Sequence, residues 1–197
     1  MGAKLDIPQT ESAKGTVLEV KEEKGIGKTI DVILYEGRLS VGDEIVVGGK
    51  SGVVIAKVRA LLEPKQPEEM ANQKDAFKNV KEVFAACGVK IVAPGLDDVI
   101  SGSPIKVNVG NAKKEVMDEL NKVRIDSDAI GVTVRADTLG SLEALTMLLS
   151  EMKVKTRKAD VGAVSKRDLL EAHAVSQKDF FNGVIFALSF ISFGPYS

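Results

Sequence analysis

A chain of 197 residues is long enough for one or two domains. Its hydrophobic content of 44% and charged content of 28% are typical of a globular protein with a buried core. The formal net charge is −1, so any contact with nucleic acid or an acidic membrane requires a local basic patch. The sequence shows no signal peptide and no apolar run long enough to cross a bilayer, so we expect a cytoplasmic protein with no membrane partner.

Residue types that carry chemistry are scarce. The single cysteine, Cys87, excludes an internal disulfide, and its apolar neighbours predict a buried, reduced thiol. The single histidine, His173, lies in a helical pattern far from Cys87, which argues against a nucleophilic pair. Metal sites need clustered Cys, His and carboxylate side chains. We therefore predict no catalytic, cofactor-binding or metal-binding residue.

The first half of the chain reads as short strands separated by Gly-rich turns. Residues 1–13 form a polar leader. Alternating or β-branched segments then predict about six or seven strands between residues 15 and 109, at 15–21, 29–34, 45–47, 52–62, 83–92 and 105–109. The segment 52–62 can be two strands or one bent strand. Residues 63–81 are rich in charge and proline and predict an inserted surface loop. Together, residues 14–110 predict a small closed β-barrel.

The pattern changes at Asn111. Val116, Leu120 and Val123 share one helical face, and this predicts a connecting helix within residues 111–128. Strands at 131–136, 154–161 and 183–191 then alternate with two helices. Thr138 caps the first of these, with Leu142, Leu145, Leu149 and Met152 along one stripe, and Ser165 to Asp168 forms a capping box for the second. Residues 129–197 therefore predict an α/β/α sandwich with a parallel sheet.

The run Gly27-Lys28-Thr29 also has to be weighed as a nucleotide phosphate loop. That loop requires glycine five positions before Gly27 and a helix after the threonine. Position 22 is Glu22, whose carboxylate repels phosphate, and residues 30–34 read as a strand. A hairpin between two barrel strands is favoured.

Several runs resemble one protein family. They are Gly15-Thr16-Val17-Leu18-Glu19-Val20-Lys21, Thr29-Ile30-Asp31-Val32-Ile33-Leu34, Gly37 with Gly42-Asp43, Arg59-Ala60-Leu61-Leu62, and above all Ala136-Asp137-Thr138-Leu139-Gly140-Ser141-Leu142. Over residues 14–188 the chain resembles the archaeal and eukaryotic translation initiation factor five-B family, the counterpart of bacterial initiation factor two. In that family Gly37, Gly42, Asp43 and Asp137 to Ser141 are expected to be structural signatures.

The resemblance implies a function that the residues alone do not show. It implies domains two and three of a GTPase whose GTP and magnesium site lies in a G domain expected before residue 1. It also implies a barrel expected after residue 197 that binds initiator tRNA. The region would dock on small-subunit rRNA and proteins and relay the nucleotide state between those two domains during subunit joining, as a monomer without enzymatic activity.

Charge and turn position select the candidate RNA contacts. These are Lys24 and Lys28 on the first hairpin, and Lys57 and Arg59, two apart on one predicted strand face. Few aromatic residues interleave with these cations, so a solvated surface is the competing interpretation. Two other functions stay open: a stand-alone GTP-hydrolysing enzyme using Gly27-Lys28-Thr29, and a free-standing ribosome-binding adaptor.

Overall fold

The computed structural model describes residues 12–23, 25–65, 76–127 and 130–188. The chain divides into two compact units, residues 1–118 and 119–197. The strands of the first unit are Lys14–Glu23 (β1), Gly27–Glu36 (β2), Arg38–Ser40 (β3), Glu44–Gly49 (β4), Gly52–Lys57 (β5), Ala60–Pro64 (β6), Phe77–Val80 (β7), Glu82–Phe84 (β8), Cys87–Val92 (β9) and Pro104–Val107 (β10). A 3-10 turn spans Leu96–Asp98.

Eight strands of the first unit form one antiparallel sheet. Their order is β5-β4-β10-β1-β2-β9-β6-β7, and β3 pairs with β8 in a separate ribbon. One face of the sheet covers a core of aliphatic side chains that includes Val17, Ile30, Leu61, Ile91 and Ile105. Alternation of buried and exposed residues along β2 reflects this one-sided burial. The edge strands β5 and β7 do not pair with each other among the described residues, so closure of a barrel stays a prediction.

Two predictions for the first unit are corrected by the strand boundaries. The segment 63–81 is not a loop throughout, because β6 runs to Pro64 and β7 pairs with it in register Leu61↔Val80. β7 has only four residues and no alternation of apolar and polar side chains, so the sequence carries no strand signal there. Lys57 and Arg59 do not share a strand face, because β5 ends at Lys57 and β6 begins at Ala60. The rest of the excursion, residues 66–75, lies outside the described residues.

The second unit is a mixed sheet with helices packed on it. Ala112–Val123 (α1) carries the unit boundary between Asp118 and Glu119. The remaining elements are Ile125–Asp126 (β11), Val132–Ala136 (β12), Leu139–Glu151 (α2), Thr156–Val161 (β13), Lys166–Ser176 (α3), a 3-10 turn at Phe180–Asn182, and Ile185–Leu188 (β14). The sheet order is β11-β13-β12-β14. The pairs β12–β13 and β12–β14 are parallel as predicted, while the short β11 adds an antiparallel edge that the sequence did not indicate.

Helix starts in the second unit follow their sequence signals. The Thr138 side chain accepts a hydrogen bond from the Ser141 N–H at 3.1 Å, which satisfies one otherwise unpaired donor of α2. Ser165 and Asp168 form the predicted capping box of α3. The predicted apolar stripe of α2 is wrong at one position: Leu142 and Leu149 are buried, but Met152 lies past the helix end and is 65% exposed.

The predicted domain limits of 14–110, 111–128 and 129–197 stay predictions. Within the part of the chain that the structure describes, no helix is both long and apolar enough to cross a membrane.

Candidate functional site

The four candidate cations have different positions. Lys24 lies outside the described residues. Lys28 is the second residue of β2, Lys57 ends β5, and Arg59 lies between β5 and β6. Lys57 and Arg59 are exposed, whereas the Lys28 side chain is partly buried.

Lys28 and Arg59 line one shallow depression of the first unit, with a volume of about 310 Å³. Its wall also contains Glu22, Ile26, Gly27, Val92, Ala93, Pro94, Gly95, Leu96 and Asp97. Gly27 and Gly95 have φ of +88° and +76°, and a Cβ placed on either residue would meet no atom within 4 Å, so the backbone there is open to a ligand.

Strand register explains why these two cations meet. Thr29, next to Lys28, pairs with Val92 across the β2–β9 ladder. On the other side of β9, the Arg59 N–H donates to the Val92 carbonyl at 2.8 Å. The end of β9 therefore holds Lys28 and Arg59 on its two sides, although they are 31 positions apart in the sequence.

The charges of the depression are mixed, because the acids Glu22 and Asp97 line it together with Lys28 and Arg59. Lys28 Nζ lies 3.0 Å from Asp97 Oδ1, and this hydrogen bond, helped by the charge of Lys28, lowers the pKa of the Asp97 carboxyl. Asp97 is 78% exposed, so the pair is solvated and can be broken at little cost. The Arg59 guanidinium has no ion-pair partner among the described residues. Arg59 is thus the cation in this depression that is available to an anionic ligand.

Lys57 does not join this pair, because its strand β5 pairs with β4 and not with β9. It faces Glu44 across the β4–β5 ladder. Sequence proximity to Arg59 therefore does not bring Lys57 into the same site.

A larger depression of about 430 Å³ lies elsewhere on the first unit. Its charged wall residues are matched as ion pairs, Lys14 with Glu36 at 2.7 Å and Lys106 with Glu115 at 2.9 Å. Because these charges already have partners, we do not regard it as the functional site.

The segment Gly27-Lys28-Thr29 is part of the β2 strand, as the sequence predicted. Thr29 is fully buried, so its hydroxyl cannot reach a bound metal ion, and no helix N-terminus follows the lysine. The geometry of a phosphate loop is absent from these residues.

The expected signature residues hold turns and caps. Gly37 and Gly42 have φ of +76° and +97°, which side chains other than glycine rarely adopt. The Asp43 carboxylate accepts the Ser40 N–H at 2.8 Å, and its carbonyl accepts the Val58 N–H. In the second unit the Asp137 N–H donates to the Leu188 carbonyl, and Leu139, Gly140 and Ser141 form the first turn of α2. A structural role remains the prediction for all of these positions.

One charge cluster of the first unit was missed by the sequence reasoning. Lys90 is 3% exposed, and its ammonium lies 2.6 Å from Glu23 and 2.9 Å from Asp31. Burial opposes the charge, but the two carboxylates outweigh it and raise the pKa of Lys90. Its ammonium also lies 5.2 Å from the centre of the Phe77 ring. The strand pairing Asp31↔Lys90 creates the cluster, and only a correct register could have predicted it.

A second missed cluster centres on Asp168, which is fully buried. Arg135 donates to both of its carboxylate oxygens, at 3.0 and 2.8 Å, and Lys158 donates at 3.1 Å. The Ser165 N–H and hydroxyl donate at 2.8 and 2.7 Å. Burial disfavours the anion, but these bonds outweigh it and hold the pKa of Asp168 far below its ordinary value. The capping box was predictable; the contact with Arg135, 33 positions away, was not.

Glu171 extends this cluster along α3. It accepts from Arg167 at 2.6 Å, from Arg157 at 3.2 Å and from Lys158 at 3.3 Å. Led by the bond from Arg167, these donors lower the pKa of Glu171 to about 2. Every acid in this cluster faces a cation, which makes it a structural tie between α3 and the sheet and not a proton-transfer site.

Comparison with protein-family models divides the chain near the end of the eight-stranded sheet. Residues 27–105 match the model for elongation factor Tu domain 2. Residues 106–188 match the model for translation-initiation factor 2.

Individual relatives agree with these matches. The chain is 49% identical to the probable translation initiation factor IF-2 of Methanococcus maripaludis over 181 residues, which is 90% of this chain and 30% of the relative. It is 49% identical to the corresponding protein of Pyrococcus abyssi over 187 residues, 92% of this chain and 19% of the relative.

A solved structure extends the similarity to the fold. The crystal structure of GDP-bound aIF5B from Aeropyrum pernix superposes with a TM-score of 0.79 at 41% identity, covering 92% of this chain and 32% of that one. The chain spans less than a third of the length of each of these relatives. With its sequence and fold both matched over most of its length, the chain belongs to the translation initiation factor IF-2 family.

Proposed function

We propose that this region docks a translation initiation factor on the ribosome through the depression that contains Lys28 and Arg59. Small-subunit rRNA is the expected ligand, because Arg and Lys side chains supply many of the contacts that proteins make with nucleic-acid phosphates. The region performs no chemistry of its own. It relays the nucleotide state between a G domain and a tRNA-binding domain of an intact factor.

The observation that carries the proposal is the meeting of Lys28 and Arg59 in one depression. Arg59 offers a guanidinium that no described carboxylate pairs with, and a guanidinium can bind two phosphate oxygens at once. Lys28 can leave its exposed partner Asp97 when a phosphate arrives, because a solvated ion pair contributes little. Open backbone at Gly27 and Gly95 allows close approach of a sugar–phosphate chain. Because the chain belongs to an initiation factor family, we expect its binding partner to be the ribosome.

A relay also requires units that move as rigid bodies. We propose that the eight-stranded sheet closes into a barrel and that α2 and α3 cover opposite faces of the second sheet. The burial of β12 supports helices on both faces of the second sheet. Its residues Val132, Thr133, Val134 and Ala136 are all buried, although successive residues point to opposite faces. Right-handed crossovers from β12 to β13 and from β13 to β14 run in opposite directions, which favours helices on both faces.

Charge reversal tests the docking site. We expect Arg59→Glu to weaken binding of the chain to purified archaeal small ribosomal subunits about tenfold or more, and Lys28→Glu to weaken it less, because Lys28 is already paired with Asp97. The salt dependence of binding should become shallower in both variants, since fewer counterions are released. Sedimentation of labelled chain with subunits at several salt concentrations measures both quantities.

Lys114→Glu is the matched control, because Lys114 is an exposed lysine of the same unit on α1, outside the depression. Its affinity should match that of the unmodified chain. Equal loss in Arg59→Glu and Lys114→Glu would mean that net charge alone governs binding, and the proposed site would be wrong. Lys57→Glu tests the other candidate among the described residues. Because Lys57 lies outside the depression, its replacement should leave the affinity unchanged.

A further inference from the structure

The two cations of the depression differ in their acidic neighbours. Lys28 has two acids beside it: Asp97, whose Oδ1 lies 3.0 Å from Lys28 Nζ, and Glu22, which is opposite Lys28 in the β1–β2 ladder. The Arg59 guanidinium has no ion-pair partner among the described residues. All four side chains line the same depression. A phosphate can therefore bind Arg59 directly, but at Lys28 it has to replace a carboxylate that is already bound there.

The backbone holds the Asp97 carboxylate at this place. Asp97 is the middle residue of the 3-10 turn between β9 and β10. Before it, Leu96 is fully buried. After it, Asp98 accepts two N–H groups of the β4–β5 hairpin at 2.8 Å, that of Lys50 through its carbonyl and that of Ser51 through its carboxylate. Because the turn is fixed on both sides of Asp97, the carboxylate stays at the depression when its ion pair is broken.

The fold does not depend on this ion pair. Asp97 is 78% exposed, and a solvated ion pair adds little to stability. The start of β2 is held by its ladder to β9, in which Thr29 pairs with Val92. Removal of the Asp97 charge should therefore change the electrostatics of the depression and leave its shape intact.

We propose that Asp97 competes with the RNA phosphate for Lys28 and so lowers the affinity of the docking site. This role rests on the proposed docking function, because it requires a phosphate at Lys28. In the free chain the Lys28 ammonium donates to Asp97. In the complex it donates to a phosphate oxygen, and the Asp97 carboxylate is left with water. Asp97 thus opposes binding twice, because it holds the cation before binding and repels the phosphate afterwards.

Asp97→Asn tests the competition, because it removes the charge and keeps the size of the side chain. We expect the affinity of the chain for purified archaeal small ribosomal subunits to increase about three- to fivefold at low salt, as loss of an exposed ion pair allows. In the unmodified chain, the released Asp97 takes up a cation in place of one that the RNA loses. Without it, the slope of log affinity against log salt should become steeper by about 0.7–0.9. Sedimentation of labelled chain with subunits measures both quantities.

Two acids serve as matched controls. Glu22→Gln makes the same change of charge inside the depression, but no described cation forms an ion pair with Glu22, so its gain in affinity should be smaller. Asp118→Asn makes the change at an exposed position of α1 outside the depression and should leave the affinity unchanged. A gain in either control equal to that of Asp97→Asn would overturn the proposal, because local or total charge would then explain the effect.

A double-mutant cycle tests whether Asp97 acts through Lys28. In a Lys28→Gln background Asp97 has no ammonium to hold. Asp97→Asn should then increase the affinity no more than Glu22→Gln does. A full three- to fivefold gain in that background would contradict competition for Lys28.

The ion pair itself can be observed without ribosomes. The NMR resonance of the carbon next to the Lys28 ammonium, identified by its absence from Lys28→Gln, should shift in Asp97→Asn and not in Asp118→Asn. An unchanged resonance in Asp97→Asn would mean that the pair does not form in solution, and Asp97 would have no cation to hold.

Failure of the docking function would give a different result. If Arg59→Glu left the affinity for subunits unchanged, the depression would not be the docking site, and both proposals would be wrong. If Arg59→Glu weakened binding but Asp97→Asn did not strengthen it, the docking site would stand and the role of Asp97 would be wrong.

Discussion

Each unit contains a cluster of charged side chains with one buried ion. The buried ion is a cation in the first unit and an anion in the second, and the two ions connect different kinds of secondary structure. In the first unit it is the cation Lys90, which lies on β9 opposite Asp31 of β2. Those strands are already joined by backbone hydrogen bonds along their length. In the second unit it is the anion Asp168, which connects α3 to Arg135 of β12 and Lys158 of β13. No backbone ladder joins a helix to a sheet, so the side-chain bonds there carry more of the connection.

This comparison predicts that the Asp168 cluster contributes more to stability than the Lys90 cluster. Solvent exposure points the same way. Glu23 and Asp31 are about one-third and one-quarter exposed, so water can replace a lost partner. Arg135 and Lys158 are much less exposed, so water replaces the Asp168 carboxylate less readily there, and the two cations then depend on their other partners, Asp160 and Glu171.

The largest effect is expected for Asp168→Asn. It removes the buried carboxylate that Arg135 and Lys158 share, and it weakens the helix cap. Because Arg135 keeps Asp160 and Lys158 keeps Glu171, we expect a loss of about 3 kcal/mol in the free energy of unfolding of the second unit. Urea titration followed by amide resonances of Val134 and Ala159, both buried in the second sheet, measures it. Asp160→Asn is the control, because Asp160 also bonds Arg135 but is partly exposed. Equal losses of stability in the two variants would mean that the burial of Asp168 does not determine its contribution to the free energy of unfolding.

The acid response of the second unit is the next effect in size. Glu171 has its pKa lowered from 4.5 to about 2, so its contribution is complete above pH 4.5 and is lost as the pH falls through about 2. Glu171→Gln should make the decrease in stability below pH 4.5 shallower and cost on the order of 2 kcal/mol at neutral pH, after allowance for partial exposure. Hydrogen exchange of α3 amides between pH 5 and pH 2.5 compares the two proteins. An unchanged slope would show that the bonds of Glu171 are not maintained in solution.

Lys90→Met is expected to have a smaller effect. Methionine keeps the packing against Phe77 and removes the charge. Asp31 retains Lys21 at 3.0 Å, and Glu23 can be hydrated, so we expect a loss of about 1–2 kcal/mol in the first unit. The raised pKa of Lys90 means that its contribution is present below pH 10.5 and is lost only at higher pH. A loss as large as that of Asp168→Asn would contradict the contrast between strand-held and helix-held clusters.

The sequence predicted what depends on neighbours in the chain, and it failed where distant residues meet. Most strands, the caps at Thr138 and Ser165 and the buried face of α1 follow from local patterns. The short strand β7, the antiparallel edge β11 and both ionic clusters depend on which strands become neighbours. The same limit applies to the candidate site. The predicted turn identified Lys28 as a candidate, but its proximity to Arg59 depends on the pairing of both segments with the end of β9.

The smallest effect is expected where a helix start has no ionic support. Thr138 caps α2 through its hydroxyl alone, whereas Ser165 caps α3 together with Asp168. Thr138→Ala should cost about 0.5–1 kcal/mol, the ordinary value of one cap. Ser165→Ala should cost more, because it also removes a hydroxyl that donates to the buried Asp168 carboxylate. Urea titration of the two variants, followed by the same amide resonances, compares them directly. If Thr138→Ala proved as costly as Ser165→Ala, the ionic cluster would add nothing to the cap of α3.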